Sequence, residues 1–230
     1  TELFPSMWNL WQAHSDADRV CIDIPAGLPA DGPRACDTEA KQLLQPVSRR
    51  VLYTPTRAAV AKRTLTEAKA LNEESGYSIQ NRAWSIVPRI REVDTFLQAT
   101  PAAQDVVVET HPELCFFGLA DRTPVTDSKR TSAGIERRLQ LLADEDIGAK
   151  RLYDDATEFL QPAYAPLIGG PADIVDALAA AVTAQRDVDR CETLPSGTHE
   201  RDECGLPMQM VYPDDIKQTT LSAVGATDSR

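Results

Sequence analysis

The sequence predicts an α/β protein with a mainly parallel sheet. Two short, nearly continuous apolar runs, residues 19–24 (RVCIDI) and 105–109 (DVVVE), have the composition of strands that are buried on both faces. Segments with helical periodicity stand between and after them. The clearest, residues 171–186, begins with proline and has an alanine-rich interior. Strands that alternate with helices in this way favour the α/β class.

The other elements are predicted from local signals in chain order. Apolar residues at helical spacing near the start of the chain indicate a short amphipathic helix. A Gly- and Pro-rich loop, residues 25–33, follows the first strand. A last strand is expected at residues 208–212, and residues 187–204 are expected to form a loose connection. Further helices are predicted at residues 35–44, 56–71, 78–97 (broken or kinked by Pro88), 112–119 (beginning at Pro112), 132–143 and 155–160.

The composition favours a soluble, cytoplasmic protein. No apolar run approaches the roughly 18 residues that a membrane helix needs, and the sequence has no basic-then-apolar leader. The 5 cysteines are odd in number and form no C-x-x-C pair, and the 3 histidines share no ligand spacing. A disulfide framework or a zinc site is therefore not expected.

Charge is abundant and unevenly distributed. The chain carries 35 acidic and 24 basic residues, of which only 6 are lysine, and this acidic, Lys-poor composition suggests a high-salt cytoplasm such as that of a halophile. Residues 34–91 nevertheless hold 11 Lys or Arg against 5 Asp or Glu. This basic stretch is consistent either with a phosphate-facing surface or with solvated helix faces that carry i,i+4 ion pairs.

Four carboxylates form the candidate catalytic and metal-binding set. Asp23 and Glu109 each end an apolar strand, and ligands of open α/β sheets bind at the carboxyl ends of strands. Asp173 and Asp176 stand three residues apart, so they share one face of the last predicted helix, residues 171–186. If that helix begins near the strand ends, the four carboxylates lie close together and form a set of oxygen-only ligands that suits Mg²⁺ or Mn²⁺. Such ions could catalyse displacement at a phosphodiester.

Each of these residues also has a plain structural interpretation. Acids in a first helical turn are favoured by the helix dipole alone, which covers Asp173 and Asp176. An aspartate after a strand, such as Asp23, is often a turn former. Glu109 is equally compatible with a simple pair to an arginine.

Further side chains are candidate phosphate contacts. His111 follows Glu109 by two residues and is consistent with a proton shuttle, a phosphate donor or a histidine hydrogen-bonded within a turn. Trp84 is expected in the core. No G-x-x-x-x-G-K-[ST] motif and no G-x-G-x-x-G after a strand occurs, which argues against the common nucleotide-binding loops. The other candidate phosphate contacts are Arg57, Arg89, Arg91 and Lys129.

Several ordered stretches resemble one family, the domain of unknown function 429 (DUF429), which is described as predicted nucleases with an RNase H-like fold. The resemblance covers roughly residues 19–186, with a weaker similarity at residues 205–213. The stretches are IDIPAGLP (22–29), RACDTEA (34–40), TPTRAAV (54–60), AWSIVPRIREVD (83–94), VVETHPELCF (107–116), SKRTSAGIERRLQLL (128–142) and DIVDALAAAVTA (173–184).

The resemblance implies an RNase H-like mixed sheet flanked by helices, with acidic residues around a divalent metal. Asp23 would end the fourth strand, Glu109 would lie near the end of the fifth, and Asp173 and Asp176 would begin the last helix. The implied organisation is an N-terminal extension or remnant helix (1–18), an RNase H-like domain (19–213) with a basic helical insert (34–98), and a C-terminal tail (214–230).

The sequence departs from the family in one respect. Members begin with a hairpin whose first strand carries a Gly-x-Asp, and no such motif precedes Asp23. We therefore expect the N-terminal strands to be missing or truncated, and an open sheet edge to favour self-association. The leading hypothesis is a metal-dependent nuclease of DNA or RNA, inactive if the first acid is lost. The alternative is a non-catalytic nucleic-acid- or protein-binding module of the same fold; a nucleotide phosphohydrolase is less favoured.

Overall fold

The structure, a computed structural model, describes residues 2–146, 148–164, 170–197 and 200–214. The predicted C-terminal tail therefore lies outside the described residues except for Asp214. Residue contacts divide the chain into two compact units. We call residues 2–110 with 193–211 the N-terminal unit, and residues 111–192 with 212–214 the C-terminal unit. Within the described ranges, no helix has both the length and the apolar character needed to cross a lipid bilayer.

The N-terminal unit combines six α-helices and two short 3-10 helices with one parallel strand pair among its described residues. The strands β1 (Val20–Ile22) and β2 (Val107–Glu109) run parallel, and Ile22 lies opposite Glu109. A mainly parallel sheet was expected, and among the described residues this sheet consists of these two strands. The elements are α1 (Met7–His14), β1 (Val20–Ile22), α2 (Ala35–Leu43), α3 (Arg57–Val60), α4 (Leu65–Glu74), α5 (Asn81–Ser85), α6 (Val87–Ala99) and β2 (Val107–Glu109).

Phe96 of α6 lies at the centre of the N-terminal unit's core. It is fully buried, and it packs in one cluster with Ile22 of β1 and Val107 of β2. The rings of Trp8 and Trp11 on α1 meet its ring edge to face, at centroid distances of 5.0 and 6.1 Å. Aromatic pairs prefer this arrangement, which joins α1 to α6.

The prediction of one helix over residues 56–71 is wrong, because the chain leaves the helix after Val60 and starts a new one at Leu65. The Thr64 hydroxyl accepts a hydrogen bond from the Glu67 amide, and the Glu67 carboxylate accepts one from the Thr64 amide, which is a complete capping box. The sequence carried this signal, since Thr64 and Glu67 have the required spacing. Pro88 lies in the first turn of α6, so the break predicted there is confirmed.

The C-terminal unit is a helical cluster. It contains α7 (Pro112–Leu119), α8 (Ser132–Glu145), α9 (Ala149–Tyr164) and α10 (Pro171–Gln185). Helix α7 has the predicted limits, while α9 is much longer than the predicted residues 155–160. Leu142 and Val175, both fully buried, lie in the cluster that α7, α8 and α10 share.

A second pair of strands, β3 (Cys191–Leu194) and β4 (Met210–Pro213), completes the structure. Strand β4 agrees with the predicted last strand, shifted by one or two residues. Strand β3 was missed, because residues 187–204 were expected to be a loose connection. At the end of β4 the main chain approaches α7 closely: a Cβ added to Gly118 would lie 1.8 Å from the carbonyl oxygen of Pro213.

The molecule is thus a mixed α/β protein that is mostly helical and has two small sheets.

Candidate active site

Glu109, the last residue of β2, is buried in an ion cluster with Arg34 and Asp37. Nη1 and Nη2 of Arg34 each donate a hydrogen bond of 2.7 Å to a different carboxylate oxygen of Glu109. The amide of Ala26 donates a further hydrogen bond to Oε2 at 2.8 Å. Nη2 of Arg34 also donates to Oδ1 of Asp37 at 2.7 Å. Both oxygens of Glu109 are therefore bound by donors of the protein itself.

Burial and pairing act against each other in this cluster. Burial raises the pKa of the Glu109 carboxyl, and the guanidinium of Arg34 opposes that rise. Burial alone would lower the pKa of Arg34, but the carboxylates of Asp37 and Glu109 hold it well above its ordinary value. Because the second oxygen of Asp37 accepts from the amide of Thr54 at 2.8 Å, the cluster ties several loops to the end of β2.

Asp23 directly follows β1 and is exposed. Its neighbour Ile22 lies opposite Glu109 in the parallel register, and the amide of Thr110 donates to the carbonyl of Ile22 at 2.9 Å. The structure thus brings Asp23 and Glu109 to the same carboxyl end of the sheet. One acid faces solvent there and the other is enclosed by an arginine.

Asp173 and Asp176 lie in the first two turns of α10, and the structure places them in different environments. Asp173 is exposed, whereas Asp176 is only 8% exposed. Lys129 Nζ donates to Oδ2 of Asp176. The other oxygen, Oδ1, is buried and has no hydrogen-bond partner among the described residues. Burial raises the pKa of Asp176, Lys129 opposes this, and the nearby carboxylates of Glu113 and Asp173 add to the rise.

A buried ion pair that the sequence analysis missed lies in the same unit. Nη2 of Arg138 donates to both oxygens of Glu113, at 3.1 and 3.0 Å, and both side chains are buried. A signal was available, because Arg138 stands three residues after Ile135 and four before Leu142, on the apolar face of α8. A charge on such a face requires a buried partner.

Three predicted phosphate contacts already have partners within the protein. Arg57 binds the carboxylates of Asp94 and Asp202 through hydrogen bonds of 2.5–3.0 Å. Arg89 is exposed and pairs with Glu92 at 2.9 Å. Arg91 donates to the main-chain carbonyls of Val60 and Lys62 at and just after the end of α3. Of the three, only Arg89 has a mainly solvent-exposed side chain.

His111 has a structural position at the start of α7. Its Nδ1 accepts a hydrogen bond of 3.2 Å from the amide of Glu113, so the side chain caps this helix. An accepting Nδ1 requires the neutral ring to carry its proton on Nε2. This geometry agrees with the expectation of a histidine hydrogen-bonded within a turn.

The four predicted carboxylates fall into two pairs. Asp23 and Glu109 belong to the N-terminal unit, and Asp173 and Asp176 belong to the C-terminal unit. Within the part of the chain that the structure describes, no three His, Cys, Asp or Glu side chains are placed to share a metal ion. One buried carboxylate oxygen in the described part of the chain lacks a protein donor, and it is Oδ1 of Asp176 on α10.

Comparison with known proteins gives one result. No curated protein and no solved structure matches the chain. Residues 1–200 match the family described as "Protein of unknown function (DUF429)". Because this match covers most of the chain, the protein belongs to the DUF429 family.

Proposed function

We propose that this protein is an RNase H-like hydrolase of nucleic-acid phosphodiester bonds, dependent on Mg²⁺ or Mn²⁺, with Asp173 and Asp176 as its metal ligands. The observation that carries the proposal is the buried, unpartnered Oδ1 of Asp176. Leaving a buried acceptor unsatisfied costs about 1–3 kcal/mol, and more when it is charged. A bound cation would remove that cost.

The residues on α10 suit such an ion. Carboxylate oxygens are the ligands that Mg²⁺ and Mn²⁺ prefer, and Asp173 stands on the same helical face as Asp176. A bound ion of this kind acts as a Lewis acid and lowers the pKa of water. Lys129 balances part of the charge on Asp176 in the protein alone. Glu109 fits a metal poorly because Arg34 and Ala26 occupy both its oxygens. The role predicted for Asp23 stays a prediction.

Two measurements on the full chain test the proposal. Labelled single- and double-stranded DNA and RNA are incubated with the protein in Mg²⁺, Mn²⁺ or EDTA, and the midpoint of thermal unfolding is recorded in the same buffers. We expect cleavage and a higher midpoint with metal, and loss of both in Asp173→Asn and Asp176→Asn. The control is Asp144→Asn, an exposed aspartate on α8 that should retain both. Wild-type protein that neither cleaves nor gains stability with metal would refute the proposal.

A second candidate function is a non-catalytic nucleic-acid- or protein-binding module of the same fold. The observation that favours it is the enclosure of Glu109, an acid expected at the metal site, by Arg34. Binding of nucleic acid that is unchanged by EDTA, by Asp23→Asn and by Asp176→Asn, without cleavage, would support this function. For either function we propose the cytoplasm as the setting, because the odd number of cysteines without a C-x-x-C pair favours reduced thiols.

A further inference from the structure

The structure separates the basic residues of the 34–91 stretch into two groups. Several of them serve the fold: Arg34 is buried with Glu109, Arg57 binds Asp94, and Lys41 donates to main-chain carbonyls. Others face solvent. The positive balance of this stretch is therefore not spread over its surface, and the question is where the accessible positive charges gather.

Lys62 and Arg63 are accessible positive charges in the loop between α3 and α4. Both are exposed, and neither forms an ion pair with any described residue. Lys62 interacts electrostatically with Glu67, whose carboxylate also accepts hydrogen bonds from the amide and hydroxyl of Thr64 at the start of α4. Glu67 therefore offsets only part of the charge of the loop.

Arg91 of α6 holds this loop in place. Its Nε donates to the carbonyl of Val60 at 2.6 Å, and its Nη2 donates to the carbonyl of Lys62. Its guanidinium also lies over the ring of Trp84, 5.9 Å from the ring centroid. Trp84 is half-buried and packs against two buried hydrophobic clusters, in agreement with its expected place in the core. Three positive charges and an aromatic ring thus occupy one surface of the N-terminal unit. We call Lys62, Arg63, Trp84 and Arg91 the basic–aromatic surface.

We propose that the basic–aromatic surface binds the phosphate backbone of nucleic acid. The inference rests on the proposed function, because it locates the binding surface for that substrate. A local concentration of positive charge on a chain of net charge −11 favours a polyanion over the remainder of the protein. Lys and Arg contacts to phosphate carry no sequence information, so we expect this surface to bind nucleic acid without base preference.

The residues of this surface have two different roles in the proposed binding. Lys62 and Arg63 are exposed and can reach phosphates directly. Arg91 is fixed by two carbonyls, so it positions the loop and adds charge. Removal of Lys62 and Arg63 should therefore change affinity without disturbing the fold, whereas removal of Arg91 would also release the end of α3.

The test measures binding without catalysis. Fluorescence anisotropy in EDTA follows the full chain as it binds labelled single-stranded DNA, single-stranded RNA and duplex DNA, at salt concentrations from about 50 to 200 mM. The variant is the double substitution Lys62→Ala with Arg63→Ala. Its matched control is Arg137→Ala with Arg151→Ala, which removes the same charge from exposed positions in the C-terminal unit. The charge-retaining variant Lys62→Arg with Arg63→Lys is measured alongside.

We expect the double alanine variant to bind at least about tenfold more weakly, with the slope of log affinity against log salt reduced by about 2. The control and the charge-retaining variant should bind like the wild type. Equal binding by the double alanine variant and the wild type overturns the inference, as does wild-type protein that binds no nucleic acid. If the wild type binds nucleic acid but never cleaves it, and the double alanine variant binds more weakly, the hydrolase proposal is refuted and the binding surface is supported.

Discussion

Substitution of Glu109 by glutamine separates a structural role from a metal-binding one. Glutamine has the same shape but lacks the charge, and its amide group would direct hydrogen atoms at the guanidinium of Arg34, which has only donors. The wild-type carboxylate accepts three hydrogen bonds of 2.7–2.8 Å, two of them from Arg34. The variant can keep acceptors on only one of its two terminal atoms.

The expected cost follows from this geometry. Removing one partner of a buried ion pair typically costs about 3–5 kcal/mol. Asp37 remains bound to Arg34 and compensates part of its charge, so we expect about 3 kcal/mol. For a chain of this length, that cost lowers the midpoint of thermal unfolding by roughly 6–12 °C.

Urea unfolding followed by circular dichroism measures this change, and Asp105→Asn is the control. Asp105 is exposed just before β2, so its substitution should alter stability by less than about 0.5 kcal/mol. The stabilisation that Mn²⁺ gives should be the same in Glu109→Gln and wild-type protein. A variant of normal stability that no longer responds to Mn²⁺ would refute the reasoning and return Glu109 to the metal site.

Three further predictions concern other parts of the chain. Burial raises the pKa of Asp176, so the stability it contributes is complete below about pH 4 and is lost as pH rises through its folded value. In EDTA, Asp176→Asn should therefore gain stability relative to wild type between about pH 4 and 7; a flat difference in urea unfolding would contradict this. Gly134→Ala should lose about 2 kcal/mol, because the new Cβ would lie 2.0 Å from the carbonyl oxygen of Ser128. If helix propensity decided instead, thermal unfolding would show a gain of about 1 kcal/mol. Thr64→Ala should cost about 1 kcal/mol in chemical unfolding through loss of the capping box with Glu67, and unchanged stability would show that α4 does not depend on it.

Local signals predicted much of the secondary structure. Pro112 fixes the start of α7, and the short apolar runs predict the strands β1 and β2, which pair in parallel. The signal at Thr64 was present but outweighed by the alanine-rich sequence around it. Strand β3 (Cys191–Leu194) is short and lacks a long apolar run, so its local sequence does not indicate that it pairs with β4 (Met210–Pro213).

The candidate site was harder to predict, because its key contacts join distant residues. The sequence indicates that Glu109 ends a strand, but not that Arg34, 75 residues earlier, encloses it. Similarly, the spacing of Asp173 and Asp176 predicts a shared helical face. It does not predict that Lys129 approaches one oxygen and leaves the other buried without a donor. Such pairings depend on tertiary packing.

The contact between Gly118 and Pro213 has a consequence for how this family can vary. At this position two main chains touch, so the separation of α7 from the end of β4 is set by backbone atoms and not by interchangeable side chains. In a saturation library at position 118, every replacement would force these two segments apart. Selection for folded protein should therefore recover glycine codons alone, whatever chemistry the protein performs.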